Sequence, residues 1–374
     1  YINNKTIITK KNTIMNRLLA LCTSPDQGGL ELYFIKFIKH YDDEKNVYVA
    51  CSKNSYISKN ICTKKIECET YGFFNSISNF FRIRRYIINN NIDWIHVSWT
   101  KDLLLGVFLK IFTPRDIKLV FYRQMKLTRN KTSLYHRFIY SKVDLYLVIT
   151  KKLYDEACKC LPLNKSIIHI LSYGIRKPDQ SLSFGKKLFF EKYNMKPSLF
   201  SVGIFSRIEE QKGQHLAIEA IHQSKHKIQL SIVGHCMDET YKSKLRDMSR
   251  DYGLSKLISF TGFLQSPMNY MPFFDLIILP TYEETFGLIV AEAMLMKVPI
   301  IGSDAGGVPE IISHKSNGLL FQTRNHNDLR DKIDMIIEDS QLREKIIDNG
   351  FSFVCNHYDY SSHFAKFEKM INTY

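Results

Sequence analysis

Short apolar runs alternate with amphipathic segments along the whole 374-residue sequence. The runs are rich in β-branched residues, and the segments between them carry apolar residues three or four positions apart, as helices packed on one side do. This alternation predicts parallel βαβ units. The helices are expected to include residues 29–40, 75–90, 213–224, 287–296 and 326–338. The predicted strands lie in MNRLLALCTS, NVYVACSK, IECETYGF, DWIHVSW, IKLVFYRQM, LYLVIT, SIIHILS, LFSVGIFS, KIQLSIVG, LISFTGF, LIILPT, PIIGSD and GLLFQT.

The chain is too long for one ordinary core and suits two doubly wound α/β domains with a cleft between them. Residues 174–198 are polar, contain two prolines and lack strand character, so they are the expected linker. We therefore expect an N-terminal domain over residues 1–178 and a C-terminal domain over 179–355. Residues 356–374 are expected to form a helix that returns to the N-terminal domain.

The net charge of +15 is placed unevenly. Residues 1–180 hold 30 Lys and Arg against 14 Asp and Glu, whereas residues 181–374 hold 22 against 23. The excess in the first half favours an anionic partner such as a membrane surface, an acidic glycan or nucleic acid. A compositional bias towards lysine, without function, is the alternative.

No apolar run approaches the roughly 20 residues that span a bilayer. The first residues, YINNKTIITKKN, lack the apolar stretch of a signal peptide. The eight cysteines lack zinc-ligand spacing and are expected to be reduced thiols. These features predict a cytoplasmic protein, with peripheral attachment to the inner face of the membrane as a further option.

The segment ETFGLIVAE, from Glu284 to Glu292, follows a predicted strand and opens a predicted helix. In parallel α/β domains, ligands bind beyond the carboxyl ends of the strands. Thr285 is the expected N-cap, and the helix is expected to start near Phe286. The amides of its first turn would then face a phosphate, helped by the helix dipole. These amides belong to Phe286, Gly287 and Leu288.

The two glutamates of this segment are spaced to contact different parts of one ligand. Glu284 precedes the helix, and Glu292 lies about 9 Å along it at 1.5 Å per residue. Carboxylates accept hydrogen bonds from vicinal hydroxyls, so a diphosphate at the helix start would place a sugar near Glu284 and a ribose near Glu292. A capped helix with solvated glutamates is the alternative, although Glu292 interrupts an apolar stretch.

Two cations, Arg207 and Lys212, follow the predicted strand LFSVGIFS. Cations at a strand end can converge on one pyrophosphate through charge-assisted hydrogen bonds, unless they simply belong to an exposed basic loop. Gly28 and Gly29 follow the first strand, where they suit either a mere turn or backbone approach to a phosphate. Another glycine pair, in SDAGGVPEII, could lie against the sugar.

Together these residues resemble the retaining glycosyltransferases of family four, of bacterial polysaccharide or lipopolysaccharide type. These enzymes have the GT-B fold, in which two Rossmann-like domains face a cleft. The E-x7-E pattern of Glu284 and Glu292 is the most specific marker, and the R-x4-K pair of Arg207 and Lys212 supports it. The resemblance implies that the two cations hold a donor diphosphate, Glu292 the ribose and Glu284 the transferred sugar.

The resemblance also assigns roles outside these motifs. Gly28 and Gly29 would lie across the cleft, near phosphate and acceptor. Many relatives carry a histidine after the strand that reads LVFYRQMK here, where Gln124 becomes the acceptor-side candidate beside Arg123. The loop TGFLQS is similar to the segment beside the base, with contacts expected from Gly262, Phe263 and Leu264.

The chemistry expected is transfer of a sugar, with retention, from a UDP- or GDP-linked donor to a hydroxyl of a glycan or lipid-linked acceptor. Arg207, Lys212 and Glu284 are the catalytic candidates, since stabilising the departing diphosphate is the main burden. No cofactor is expected, and no metal either, because Asp42 and Asp43 lie in a polar loop rather than in a DxD motif at a strand end.

The acceptor domain contains FFNSISNFFRIRRYIINN, residues 73–90, which mixes phenylalanines with arginines as an interfacial helix would. An ordinary helix packed on the sheet is the alternative. Two other functions stay open. One is a nucleotide-sugar 2-epimerase of the same fold, and the other is a basic membrane- or nucleic-acid-binding protein without catalysis. Nucleic acid is not expected, because no recognition motif is visible.

Overall fold

The computed structural model describes residues 17–42, 46–69, 73–178 and 185–374. The predictions for the first twelve residues, for Asp43 and for residues 179–184 of the expected linker lie outside these ranges. The chain forms two compact units, and each is built on a parallel sheet. The first unit comprises residues up to 148, 154–169 and 366–374, and the second comprises 149–153 and 170–365. The boundaries expected at residues 178 and 355 stay predictions.

The sheet of the first unit contains seven of the described strands, in the order β3-β2-β1-β4-β5-β6-β7. They are β1 (Leu18–Cys22), β2 (Val47–Ser52), β3 (Lys65–Cys68), β4 (Trp94–Val97), β5 (Lys118–Arg123), β6 (Leu145–Val148) and β7 (Ile168–Ile170). The helices up to this point are α1 (Gly29–His40), α2 (Tyr56–Asn60), α3 (Phe73–Asn89), α4 (Leu103–Phe112), α5 (Leu134–Tyr140) and α6 (Lys151–Cys160).

The sheet of the second unit contains six described strands, in the order β10-β9-β8-β11-β12-β13. They are β8 (Phe200–Phe205), β9 (Ile228–Val233), β10 (Ile258–Gly262), β11 (Leu276–Leu279), β12 (Ile300–Ser303) and β13 (Leu319–Phe321). The remaining helices are α7 (Lys186–Lys192), α8 (Gln214–Gln223), α9 (Glu239–Asp251), α10 (Leu288–Leu295), α11 (Val308–Ile311), α12 (His326–Glu338), α13 (Ser340–His357) and α14 (Tyr360–Thr373).

The central strands are apolar at almost every position because helices cover both of their faces. Every residue of β1 is fully buried, and every residue of β9 is buried as well. Each predicted strand contains an observed strand, so the prediction of two doubly wound α/β domains is confirmed.

Each sheet has a topological switch point, where the strand order reverses and a crevice opens at the carboxyl ends. In the first unit this point lies between β1 and β4, and in the second it lies between β8 and β11. The loops after these four strands are therefore the places where a ligand is expected.

The expected linker is in part a folded element of the second unit. After Gly185 the chain forms α7, which buries Phe189 and Phe190. Phe189 packs against Phe273 and Phe274, with ring centroids 5.6 and 5.8 Å away. The polar composition of residues 174–198 concealed these two aromatic anchors.

The last residues of the chain, 366–374, belong to the first unit. Phe367 lies edge-on to Phe37, with ring centroids 5.2 Å apart. Phe37 in turn stacks at 4.7 Å on His96, which is fully buried and thus a core residue. These contacts join the end of α14 to the core beside β4.

Asp102 is a buried carboxyl group behind the switch point of the first unit. It accepts hydrogen bonds from the amide and the hydroxyl of Thr23, at 2.7 and 2.5 Å. Burial nevertheless dominates and raises the pKa of Asp102 from 3.8 to about 6, while the Thr23 hydrogen bonds oppose the shift.

This raised pKa predicts a pH-dependent cost to the fold. Below about pH 4 the carboxyl is neutral in both states, whereas between about pH 4 and 6 the unfolded chain ionises first. The contribution of Asp102 to the free energy of unfolding should therefore fall with rising pH, by up to about 3 kcal/mol. Urea unfolding of the wild type and Asp102→Asn at pH 4.5 and 7.5 measures it. A stability difference between the two proteins that is the same at both pH values would contradict this prediction.

Candidate functional site in the second unit

The cations and the first glutamate predicted from sequence follow the two strands that flank the switch point. Arg207 and Lys212 follow β8, and Glu284 follows β11. The Lys212 ammonium donates to a Glu284 carboxylate oxygen at 2.9 Å. The side chains of Lys212 and Glu284 are only 17% and 24% exposed, so the pair is sheltered from solvent. Two predicted site residues are thereby brought into direct contact.

Close backbone packing holds these loops together. Gly213 has φ +67°, and a Cβ there would lie 2.0 Å from the Pro280 carbonyl oxygen. Gly306 has φ +63°, and a Cβ there would lie 1.7 Å from the Glu284 carbonyl oxygen. The Gly307 amide donates to the same oxygen at 2.8 Å. The glycine pair after β12 thus fixes the backbone of Glu284.

Arg207 occupies a more open position than Lys212. Its guanidinium forms an ion pair with Glu209 at 3.0 Å, and its side chain is 49% exposed. The amide group of Gln214, which is fully buried, donates to the Arg207 carbonyl oxygen at 2.7 Å and to the Ser206 hydroxyl at 3.0 Å. The backbone of Arg207 is therefore held while its guanidinium reaches solvent.

The helix after Glu284 begins two residues later than the sequence suggested. Thr285 is not its N-cap, because Gly287 takes that position with φ +91° and α10 runs from Leu288 to Leu295. Phe286 instead anchors the loop, since it is buried and packs edge-on to Tyr173 and Tyr358 at 5.1 and 5.3 Å.

The start of α10 keeps the backbone donors that a phosphate would need. Among the described residues, the amides of Gly287, Leu288 and Ile289 donate no hydrogen bond, and the Val290 amide donates to the Gly287 carbonyl at 2.9 Å. Unpaired amides at a helix start form an anion-binding arrangement. Only the predicted helix start is corrected, because the Phe286 amide likewise donates no hydrogen bond within the described chain. Phosphate binding by these amides stays a prediction.

Glu292 lies within α10 and is half-buried. With the corrected start it is four residues into the helix, about 6 Å along the axis at 1.5 Å per residue. Its distance from the helix start is thus shorter than expected from the sequence. Its role at a ribose stays a prediction.

A hydrogen-bonded chain beneath the site was not anticipated. The Tyr282 hydroxyl contacts His215 at 2.6 Å, and the other ring nitrogen of His215 contacts the Tyr241 hydroxyl at 2.7 Å. Burial lowers the pKa of His215. The Arg324 guanidinium covers the Tyr282 ring at 4.5 Å from its centroid. Nothing in the spacing along the sequence indicates these contacts, because they join residues from four separate segments.

The loop that is expected beside the base follows β10. Gly262 ends β10 with φ +72°, and its carbonyl oxygen accepts from the Gly234 amide at 3.0 Å. Phe263 is 62% exposed and Leu264 is half-buried. An aromatic ring this exposed is available to a planar ligand, and its contact with a base stays a prediction.

The predicted residues of the first unit have mainly structural partners. The Gly28 amide donates to Glu31 at 2.8 Å at the start of α1, and Gly29 is exposed. The Arg123 guanidinium is buried and donates to the carbonyl oxygens of Met125 and Lys126, at 2.7 Å each. Gln124 is buried beside it. Arg123 therefore holds its own loop, and the acceptor roles of these residues stay predictions.

The helix expected at residues 75–90 is α3, and it has two distinct faces. Ile83 and Ile87 are fully buried, as in an ordinary helix packed on a sheet. Phe81 and Ile77 are 60% and 43% exposed. The ordinary packing is thus present, and an apolar surface remains on the outside. Within the described part of the chain, no helix is both long and apolar enough to span a membrane.

Metal ligands were not expected from the sequence. Within the described ranges, no three His, Cys, Asp or Glu side chains are grouped so that they could hold a metal ion. Metal independence itself stays a prediction.

The family model for glycosyl transferases group 1 matches residues 186–353, which includes Arg207, Lys212, Glu284 and Glu292. The matched stretch is less than half of the chain, and it is similar to the glycosyl transferases of group 1. This similarity supports the predicted resemblance to glycosyltransferases, while the family and the activity of the whole chain stay predictions.

Two curated glycosyltransferases show the extent of the similarity. An uncharacterized glycosyltransferase of Methanocaldococcus jannaschii is 25% identical over 223 residues, which cover 58% of this chain and 56% of that protein. The chain thus spans little more than half the length of that relative. The N,N'-diacetylbacillosaminyl-diphospho-undecaprenol alpha-1,3-N-acetylgalactosaminyltransferase of Campylobacter jejuni is 25% identical over 351 residues, 86% of this chain and 91% of that enzyme.

Solved structures of glycosyltransferases share the fold. HepE from Anabaena, crystallised with UDP, superposes with a TM-score of 0.81 at 20% identity over 96% of this chain and all of that one. HepE has also been crystallised with UDP-glucose. The predicted GT-B fold is therefore confirmed.

Proposed function

We propose that this chain transfers a sugar from a UDP- or GDP-linked donor to a hydroxyl group of a glycan or lipid-linked acceptor, with retention of anomeric configuration. One observation carries the proposal: the Lys212–Glu284 ion pair lies at the switch point of the second unit, directly ahead of the open amides of α10. A cation and helix amides suit a diphosphate, and a carboxylate suits sugar hydroxyls.

The proposed reaction breaks the bond between the sugar and the diphosphate. Negative charge develops on the departing diphosphate, and preorganised donors stabilise it best. Lys212, Arg207 and the amides of residues 287–289 are the groups assigned to that task. Lys212 would leave Glu284 for the diphosphate, and Glu284 would then accept hydrogen bonds from the sugar. Glu292 is assigned to the ribose.

Retention is proposed from the resemblance to family four, not from geometry. A glycosidase-like mechanism would need two carboxylates about 5 to 10 Å apart across the sugar. We assign only Glu284 to the sugar. Attack by the acceptor hydroxyl on the leaving-group face is therefore favoured, with a diphosphate oxygen accepting the proton.

The relatives support the substrate classes proposed. HepE was crystallised with UDP-glucose, and the Campylobacter enzyme is named for a lipid-diphosphate acceptor. A capsular polysaccharide glycosyltransferase of Staphylococcus aureus is 22% identical over 79% of this chain. We accordingly propose a role in cell-surface polysaccharide synthesis, at the cytoplasmic face of a membrane. Peripheral attachment to an anionic membrane surface belongs to the same proposal.

Thermal unfolding with a panel of nucleotide sugars tests the donor class. A ligand present at about 100 times its Kd stabilises the folded state by about 2.7 kcal/mol. We expect UDP- or GDP-sugars to raise the Tm, and the same sugars without the nucleotide to leave it unchanged. A chain whose Tm responds to no nucleotide sugar would contradict the proposal. Nucleotide release that needs an acceptor separates a transferase from the 2-epimerase alternative.

Glu284→Gln tests the contact with the transferred sugar. The amide keeps the shape but loses the charge, so both the sugar hydroxyls and Lys212 lose a strong acceptor. We expect kcat for transfer to fall about 10- to 100-fold, since hydrogen bonds to charged groups contribute about 1.5 to 3 kcal/mol.

The neighbouring substitution Glu283→Gln is the matched control, because Glu283 is exposed and changes charge by the same amount. Steady-state transfer by the two variants should differ clearly. Equal, near-normal turnover in both variants would contradict the assignment of Glu284 to the transferred sugar.

A further inference from the structure

The first unit contains a cavity of about 650 Å³ at the carboxyl ends of its strands, beside α3 and α4. This volume lies within the range of about 300 to 1,000 Å³ that is usual for small-molecule sites. Thr23, Ser52 and Asp102 line its inner end. They bond to one another, since Thr23 donates to Asp102 and the Ser52 hydroxyl donates to the Thr23 carbonyl oxygen at 2.7 Å. These groups are already satisfied without a polar ligand.

The outer walls of this cavity are aromatic. Phe80 and Phe81 from α3 face Phe108 and Phe112 from α4. The ring centroids of Phe80 and Phe112 are 6.4 Å apart, and those of Phe108 and Phe112 are 6.0 Å apart. Phe81 and Phe112 are each 60% exposed. Two helices therefore line the opening with apolar surface, and such a contiguous patch marks a binding site more often than a neutral surface.

A second cavity of about 500 Å³ adjoins the first across Phe81, which lines both. Arg82 and Arg85 line it, on the exposed face of α3. Within the described part of the chain neither arginine forms an ion pair. The Arg84 side chain is engaged instead, because it donates to the Phe112 carbonyl oxygen at 2.7 Å. Two guanidinium groups without an ion-pair partner among the described residues thus lie beside an apolar cavity.

We infer that this pair of cavities binds one lipid molecule that carries a phosphate or diphosphate, with its chain between α3 and α4 and its phosphate at Arg82 and Arg85. The apolar walls gain from burying a hydrocarbon chain at about 25 cal/mol per Å². Guanidinium groups suit phosphate oxygens through paired, charge-assisted hydrogen bonds. Neither a free sugar nor a free phosphate would contact both the apolar cavity and the two arginines.

The identity of this lipid as the acceptor rests on the proposed function, whereas its binding does not. A lipid-linked acceptor would be held in the first unit by this site. The sugar chemistry is assigned to residues of the second unit, so the two assignments can fail separately.

Calorimetric titration of the full chain with farnesyl phosphate tests the site. Farnesol and inorganic phosphate are the partial probes, and we expect each to bind at least about tenfold more weakly than farnesyl phosphate. Equal binding of inorganic phosphate would overturn the inference in favour of an anion site alone.

The double variant Arg82→Gln/Arg85→Gln should weaken farnesyl phosphate binding by about tenfold or more. Lys36→Gln/Lys39→Gln is its matched control, with the same charge change and spacing on the exposed face of α1. We expect this control to bind as the wild type does. An equal loss of farnesyl phosphate affinity in both double variants would show that only the net charge matters, and it would overturn the inference.

Leu105→Trp tests the apolar half, because Leu105 lines the first cavity and is half-buried. It should weaken binding of farnesyl phosphate and leave binding of a nucleotide sugar unchanged. If Leu105→Trp does not fold, the Arg82→Gln/Arg85→Gln double variant still tests the site. Phe81→Ser adds a comparison with anionic phospholipid vesicles. If it abolishes vesicle binding while leaving the farnesyl phosphate Kd unchanged, the surface serves membrane docking and the inference fails.

Donor binding on the same preparations separates the two proposals. Binding of farnesyl phosphate without any response to nucleotide sugars would refute the proposed function and leave the lipid site standing. The reverse result would refute the lipid site alone.

Discussion

Lys212→Met is expected to lower kcat for sugar transfer by about 100- to 1,000-fold, the range found when one preorganised donor to a developing charge is removed. Lys212 is the most sheltered cation of the site and already lies 2.9 Å from Glu284. Methionine keeps much of the side-chain volume but cannot stabilise a departing diphosphate. Arg207, which is 49% exposed, cannot compensate fully because it lies in a more solvated position.

Initial rates with a saturating donor measure this effect, and Lys256→Met provides the control. Lys256 is exposed after α9, away from the switch point, so its loss should leave the rate unchanged. The double variant Lys212→Met/Glu284→Gln should lose less than the product of the single effects, because the two side chains are in contact. Strict multiplicativity, or a Lys212→Met enzyme within about threefold of the wild-type rate, would show that the pair has no joint role.

Gly306→Ala is expected to lower the free energy of unfolding by about 3 kcal/mol or more and to abolish transfer. The residue has φ +63°, and the added Cβ would lie 1.7 Å from the Glu284 carbonyl oxygen. The position of the Cβ is set by the backbone of residue 306, and the oxygen belongs to the backbone of Glu284. The clash can therefore be relieved only if the loop after β11 moves. The effect thus combines strain at a positive φ with a clash that side-chain rotation cannot remove.

Gly253→Ala separates the strain at a positive φ from the steric clash. Gly253 has φ +69°, but a Cβ there meets nothing within 4 Å. It should cost only the conformational term, about 1 to 2 kcal/mol, and should leave transfer unchanged. Urea unfolding and transfer rates of both variants give the comparison. If the two alanines destabilise the chain equally, the loop after β11 is not held by close packing against Gly306.

The sequence predicted the sheets well because the signal is local. A strand buried on both faces must be apolar at successive positions, as β1 and β9 are, and this needs no knowledge of the partner strands. The bounds of α1 and α12, residues 29–40 and 326–338, also agree with the prediction. Both helices have clear apolar periodicity and polar residues at their ends.

The start of α10 was predicted wrongly because a backbone angle decides it. Thr285 has the side chain of a good N-cap, and the sequence favours it. The chain instead turns through Gly287 at φ +91°, which lets Phe286 enter the core between Tyr173 and Tyr358. Those two tyrosines lie more than 70 positions away from Phe286 in the sequence, and no local pattern reports them.

The site was predicted as a set of residue types, but its internal contacts were not. Spacing suggested Lys212 and Glu284 separately, while their ion pair joins residues 72 positions apart. The cavity beside α3 and α4 was equally hidden. Residues 73–90 suggested an amphipathic helix. Only the tertiary structure reveals that Phe80 packs against Phe112 of α4 and that Phe81 lines one cavity with Phe112 and another with two arginines.

The Lys212–Glu284 pair has a consequence for the order in which a donor is recognised. A neutral sugar offers nothing that can draw the ammonium away from its carboxylate, whereas a diphosphate brings charge enough to compete for it. Under the proposed function, the carboxylate becomes available to the sugar only once the phosphates have arrived. A free sugar therefore finds the Glu284 carboxylate still paired with Lys212, and only a donor that brings a diphosphate releases it.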